Sequence, residues 1–254
     1  MQRRPEFTII AGPNGAGKSK LGPFYSSAKA FDGDKLAMNL RKNHPDWKDS
    51  WIDGTVISTL MKEKEEAILR NKDFAFETNF SSELPLNLIN DFKTANYKIC
   101  LIYFGLPQIT ESTKRVEQRQ TMGGHDVSQD VIEYNFNEGI KRVRTSLHLF
   151  ENILFIDGTS DFGDIKTIHI TKSGKHQITD HPAPWFDLYF KDVFENLRYD
   201  FPLFSISIDV SSNSWNQPIC SMAPYMAQKW LNHFCEKDIL VKDGTPHAPI
   251  YFLK

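Results

Sequence analysis

Gly12-Pro13-Asn14-Gly15-Ala16-Gly17-Lys18-Ser19 has the GxxxxGK[ST] spacing of a loop that wraps a chain of phosphates. Its glycines let the backbone approach the phosphates closely, Lys18 reaches toward the β- and γ-phosphates, and Ser19 is the candidate ligand for Mg²⁺. All eight residues are therefore candidate contacts to a nucleoside triphosphate. Other polar groups follow short apolar runs farther along: Asp34, Glu77 and the Asp157-Gly158-Thr159 turn. Phosphoryl transfer to a hydroxyl needs a base for the hydroxyl proton, and Asp34 in the acidic Asp32-Gly33-Asp34 stretch suits that role. Asp32 lies nearer the run and reads as shaping the turn. Positive charge must follow the migrating phosphoryl group. Arg115 and Arg119 stand four apart and share a helix face, either for that purpose or as a solvated basic face paired with Glu111. The Gly123-Gly124-His125-Asp126 turn after them reads as the hinge of a lid, with His125 taken alone as a turn residue.

The elements that would position these groups alternate strand and helix, the mark of an α/β sheet. Phe7-Thr8-Ile9-Ile10-Ala11 reads as a buried parallel strand feeding the loop, which opens a helix whose N-terminus presents free N–H groups. Residues 28–31 give a weak second strand, and Val56, Ile57, Leu60, Met61, Ala67 and Ile68 recur at helical spacing before an Asn71-Lys72-Asp73 turn. Phe74-Ala75-Phe76 starts a third strand ending at Glu77-Thr78-Asn79. Ser82 is the predicted cap of a helix through about residue 95, with Pro85 in its first turn. Residues 99–104 and 153–156 are apolar core strands. Between them lie a helix over 111–122 and a longer one carrying the stripe Ile132, Phe136, Ile140, Val143 and Leu147. Ligands of such open sheets sit beyond the carboxyl ends of the strands, where the phosphate loop, Asp34, Glu77 and Asp157-Gly158-Thr159 all fall.

Composition narrows the class. A chain of 254 residues that is 40% hydrophobic can bury a full core. A net charge of −2 argues against a general electrostatic nucleic-acid binder. Cys100, Cys220 and Cys235 have no CxxC spacing, which argues against a disulfide framework or zinc site. No apolar run approaches the ~18 residues of a membrane helix, and a strand close behind Met1-Gln2-Arg3-Arg4-Pro5 leaves no room for a signal peptide. The expectation is a cytoplasmic protein without a membrane segment.

Taken in order, GPNGAGKS, FDGDKLA, AFETNFSS and RVEQRQTMGGHDV ahead of a long helix resemble the zeta-toxin group of small P-loop kinases, and in particular the short zeta-like ATPases. The resemblance spans roughly residues 5–160. It implies ATP and Mg²⁺ held by Lys18 and Ser19, Asp34 as the catalytic base and Arg115 as a phosphate-clamping arginine. It also implies a sugar-holding segment at Glu77, Thr78 and Asn79, with His125 counted on the substrate side. Characterised members phosphorylate a hydroxyl of UDP-N-acetylglucosamine, so the implied activity is that of a nucleotide-sugar kinase. The pattern departs at two places: Ser128 stands where members carry a proline, and Tyr134-Asn135 where they carry an arginine pair. Ser128 still suits a helix cap, and Arg119, Arg142 or Arg144 are the candidate substitutes for the missing arginine.

The expected fold is a P-loop NTPase-type parallel sheet flanked by helices over residues 1–197, with a small α+β extension over 198–254. Residues 165–179 read as a hairpin around Ser173-Gly174-Lys175, and 185–197 as an aromatic-rich helix packing back on the kinase core. In the extension, residues 204–210 alternate as a strand, and Ala223, Met226, Ala227, Trp230, Leu231 and Phe234 form a helical stripe. A terminal hairpin is expected to turn at Asp243-Gly244. Zeta-type toxins are ordinarily restrained by a small helical antitoxin, so the implied partners are a small-molecule substrate and either an antitoxin or this extension acting in cis. Two other readings stay open: a kinase of another hydroxyl compound (an antibiotic, a dinucleotide ribose or a nucleic-acid 5′ end), and a non-catalytic ATP-binding regulator.

Overall fold

Glu6–Ala11 forms strand β1, and all six of its residues are buried. An uninterrupted apolar and β-branched run suits a strand covered on both faces, as parallel sheets require. The computed structural model describes residues 3–121, 127–159, 167–171, 176–178, 183–193, 240–245 and 248–253. β1 is flanked by β3 (Phe74–Thr78) on one side and β4 (Lys98–Gly105) on the other, both parallel to it. β2 (Ala30–Asp32) adds outside β3, and β5 (Asn152–Asp157) outside β4, again parallel. The order β2-β3-β1-β4-β5 makes β1 the strand at which the chain switches from building one half of the sheet to the other. The loop after β1 therefore opens into the crevice where such sheets hold ligands.

Helices flank this sheet: α1 (Lys18–Tyr25), α2 (Gly33–Asn43), α3 (Asp49–Leu69), α4 (Leu84–Thr94), α5 (Ile109–Thr121) and α6 (Gln129–Ser146). α3 and α4 both stop at an asparagine in the left-handed region, Asn71 (φ 49) and Asn96 (φ 62). Asn tolerates this conformation, and the following amides, Lys72 N–H to Ala67 O and Tyr97 N–H to Phe92 O, close the helix ends. The stripe on α6 faces inward as its spacing requires, with Ile132, Phe136, Ile140 and Val143 buried.

Beyond β5 the expected hairpin forms from β6 (Thr167–Thr171) and β7 (His176–Ile178). It extends the sheet antiparallel to β5, giving seven strands of which five are parallel. α7 (Pro184–Tyr189) then returns to the sheet, placing Trp185, Phe186 and Phe190 in the core against Tyr103 and Phe155. This return requires Gly105. A Cβ there would lie 2.4 Å from the Trp185 indole, whose Nε1 donates to the buried Asp157 carboxylate at 3.2 Å. Gly105→Ala should therefore cost about 1–3 kcal/mol, the usual penalty of overpacking a filled core. An unchanged denaturation midpoint, followed by tryptophan fluorescence, would show that the indole has room to move.

Several boundaries differ from the sequence reading. The second strand begins at Ala30 rather than residue 28, because Ser26 Oγ both donates to Ala28 O (2.8 Å) and accepts from its N–H (3.3 Å). Asp32-Gly33-Asp34 is no turn: Asp32 ends β2 and caps α2, accepting from Lys35 N–H at 3.0 Å. Ser82 does not cap α4, which starts at Leu84 after Glu83, because a left-handed Phe80 (φ 60) turns the chain earlier. Ser128 occupies the position before α6, but its side chain makes no capping bond. The aromatic helix predicted over 185–197 breaks at Phe190, which leaves helical geometry with its ring buried; residues 191–193 are helical again, and 194–197 lie outside the described residues. The terminal hairpin exists as β8 (Leu240–Thr245) and β9 (Ala248–Leu253), with Asp243 and Gly244 inside β8 rather than at its turn. His125, its flanking glycines, the strand at 204–210 and the stripe from Ala223 to Phe234 lie outside the described residues.

Candidate functional site

The loop between β1 and α1 is shaped by three glycines at positive φ: Gly12 (146°), Gly15 (77°) and Gly17 (92°). Two of them also stand where a side chain has no room. A Cβ on Gly12 would meet Phe104 O at 2.3 Å, and one on Gly15 would meet Arg115 Cβ at 2.8 Å. Gly17 is the cap of α1 and carries no side-chain cap, so the first amides of the helix remain available to an anion. Lys18 is 8% exposed, and its ammonium donates to Gly12 O (2.7 Å), Pro13 O (2.9 Å) and Asn79 Oδ1 (2.9 Å). The amine thus spans the mouth of the loop. Ser19 Oγ, on the first turn of α1, donates to Glu77 Oε1 at 2.6 Å.

Burial lowers the Lys18 amine below its ordinary range, opposed by the carboxylates of Glu77, Asp34 and Asp32. Burial likewise raises Glu77, opposed by Lys18 and by the Ser19 hydrogen bond. Each group is pushed away from its charged form. Lys18's share of stability is lost as pH falls through its depressed value, and Glu77's is lost as pH rises through its elevated one. Near neutrality both work against the free fold, and both are relieved by opposite charge in the cleft. Perturbed pairs of this kind gather at functional sites.

The remaining sequence candidates fall around one cleft of about 900 Å³. Residues 14–19, Asp34, Glu77, Thr78, Asn79, Arg115 and Arg119 all line it. Asp34 stands exposed on the first turn of α2, whereas Asp32 is committed to capping that helix. Across from the loop the wall is apolar, with Met38 of α2, Val56 and Ile57 of α3, and Leu84 of α4. The two arginines differ in their surroundings. Arg115 Nη1 donates to Gly15 O (3.2 Å) and Gly158 O (2.6 Å), tying the loop to the turn after β5, while Arg119 is exposed one helical turn farther on. The segment after β3 also turns inward: Thr78 Oγ1 accepts from Phe80 N–H at 3.0 Å, and Glu77 and Asn79 serve Ser19 and Lys18. Arg142 and Arg144 do not line the cleft. Arg142 pairs with Glu83 and Glu138, and Arg144 with Asp192.

Sequence reasoning missed Ser112 and Asn135 as braces of the loop, although it had placed the Asp157-Gly158-Thr159 turn and Arg115 at this edge. Ser112 Oγ donates to Asn14 O, and Asn135 Nδ2 donates to Asn14 Oδ1 at 3.0 Å. Asp157 accepts from Thr159 N–H (3.0 Å) and Oγ1 (2.7 Å), fixing the turn that carries Gly158. One signal was available. Gly139 in mid-helix sacrifices roughly 1 kcal/mol of helix propensity, which points to a close backbone approach. A Cβ there would lie 2.5 Å from Asn79 O.

A phosphate loop after the central strand of a β2-β3-β1-β4-β5 parallel sheet, with its lysine and serine in place, defines a P-loop fold. No family model matches the chain. It is 25% identical over 138 residues to an uncharacterized protein of Haemophilus influenzae, covering 54% of this chain and 94% of that protein. Among solved structures it is similar to one from the PezAT chromosomal toxin–antitoxin system of Streptococcus pneumoniae, with TM-score 0.47 and 14% identity, covering 79% of this chain and 86% of that one. It is also similar to the AvrRxo1-ORF1:-ORF2 complex with ATP, with TM-score 0.48 and 14% identity, over 80% of this chain and 66% of that one. A third likeness is to the Pnkp1/Rnl/Hen1 RNA repair complex, with TM-score 0.45 and 16% identity, over 57% of this chain and 47% of that one.

Proposed function

We propose that this chain is an ATP- and Mg²⁺-dependent phosphotransferase acting on a hydroxyl of a small molecule. The observation that carries the reading is the shared cleft, in which buried Lys18 and the open amides of α1 face the exposed Asp34. The residues suit both ligands. The loop is glycine wherever backbone must come close, and Ser19 Oγ beside the Glu77 carboxylate offers the hard oxygen donors that Mg²⁺ prefers. Magnesium, when bound, neutralises charge between the β- and γ-phosphates. The chain's own residues do the rest. Lys18 exchanges its loop carbonyls for phosphate oxygens, Glu77 steadies Ser19, Asp34 takes the hydroxyl proton, and Arg119 with Arg115 meets the charge that develops on the transferred group.

A nucleotide sugar such as UDP-N-acetylglucosamine is the acceptor that the resemblance at residues 77–79 implies. The same resemblance supports a restraining antitoxin, while the aromatic anchors Trp215, Tyr225, Trp230 and Phe234 of residues 198–254, beyond a kinase unit of 1–197, suit either restraint in cis or completion of the fold. Incubation with γ-labelled ATP and a panel of UDP-N-acetylglucosamine, other nucleotide sugars, NAD, antibiotics and 5′-hydroxyl nucleic acid tests the proposal. Label should appear on one hydroxyl acceptor, first of all the nucleotide sugar. Tight ATP binding with no labelled product and no ADP would leave a binding module instead.

A further inference from the structure

The segment 79–81 after β3 is held with more care than a connecting loop needs. Phe80 occupies the left-handed region (φ 60) with its ring wholly buried near Phe150, a conformation a bulky residue keeps only where its surroundings enforce it. α6 sits directly on this segment through Gly139. One turn earlier on the same face, Asn135 accepts from Ser81 Oγ at 2.7 Å and donates to Asn14 Oδ1 at 3.0 Å. Asn14 is itself 8% exposed and held from α5 by Ser112 at its carbonyl. One amide therefore joins three elements that are far apart in sequence: the phosphate loop, the segment that delivers Asn79 to Lys18, and α6.

We propose that Asn135 is a positioning residue for nucleotide binding, which holds the phosphate loop in shape through Asn14 and locks it to segment 79–81 through Ser81. It is not among the residues that line the cleft. It acts by keeping the loop's amides aimed before a ligand arrives, so that less ordering remains to be done on binding. The inference rests on the phosphate loop being the ATP site.

A double-mutant cycle on the full chain tests it, with Mg·ATP as the probe. Asn14→Ala and Asn135→Leu should each weaken Mg·ATP binding by about tenfold, and the pair together should bind no worse than Asn135→Leu alone, because that variant has already lost the contact to Asn14. The ligand-free melting temperature should move far less than the affinity. Ser81→Ala, which removes only the outer bond, should act in the same direction by about two- to threefold, and it reads the other bond of Asn135 should Asn135→Leu fail to fold. Wild-type affinity in Asn135→Leu and Ser81→Ala overturns the proposal. So do losses that multiply in the double variant, or a lowered melting temperature at unchanged affinity. A wild-type chain that does not bind Mg·ATP at all overturns the ATP reading as well, and the two failures are told apart by that control.

Discussion

Lys18→Ala should abolish the rise in melting temperature expected of the wild-type chain with Mg·ATP, and with it all transfer of label. A ligand that binds only the folded state stabilises it by about 2.7 kcal/mol at a hundredfold excess over Kd, so the wild-type shift is large enough to follow by calorimetry. The amine donates into the loop itself, bonding two of its carbonyls, and also to Asn79. Without it the triphosphate meets a cleft that keeps the carboxylates of Glu77, Asp34 and Asp32 but has lost the ammonium that opposes them, leaving Arg115 and Arg119 to do so. Ligand-free stability is the wrong readout, because two effects oppose. Removing a desolvated amine favours the fold, while unpairing Gly12 O, Pro13 O and Asn79 Oδ1 disfavours it. The dependence on ATP separates them, and a full ATP-induced shift in the variant would place the nucleotide elsewhere.

Asp34→Asn should lower turnover by about 10²–10⁴-fold, the scale of a lost general base, and leave Mg·ATP affinity close to wild type. The two carboxylates beside it make poor substitutes: Asp32 is spent on the cap of α2 and Glu77 on Ser19. Asp32→Asn is the matching control. An amide oxygen can still accept from Lys35 N–H, so that variant keeps the cap and most of the turnover. Steady-state rates and an ATP titration on both variants decide it, and equal losses in the two would move the base away from Asp34.

The parallel core was legible because its signals are local. The run Phe7-Thr8-Ile9-Ile10-Ala11 and the motif after it place a strand, a loop and a helix start within about twenty residues, and the α6 stripe shows a 3.6-residue period without interruption. Asp34 and Glu77 could be placed at one edge because parallel strands bring their carboxyl ends together. The bracing of the loop could not be read this way. Asn135 reaches Asn14 across 121 positions and Arg115 reaches Gly158 across 43, and nothing in the local pattern of a helix says which polar side chain finds a distant backbone. Arg115 illustrates the limit. Its spacing from Arg119 marks a shared face, yet one arginine braces backbone while the other stands exposed. The late start of α4 has a similar origin, since the left-handed turn at Phe80 is enforced by packing around its ring and by α6, not by its neighbours in the chain.

The order in which the chain reaches its partners bears on when the protein becomes competent. β1 finds its first neighbour at Phe74 and its second at Lys98, and the loop it feeds is braced from residues 112, 115 and 135 and abuts the turn at 158. Contacts this distant must wait for long loops to close, so folding of the site is slow relative to formation of its helices. During synthesis the phosphate loop leaves the ribosome well before β4, α5, α6 and β5 exist to shape it. A nascent chain carries the motif for seconds as an unstructured glycine-rich stretch, at about 5–20 residues per second. On the proposed function, ATP capture would await the docking of β5, whose following turn supplies Gly158 O to Arg115. Competence would then fall to a late folding step.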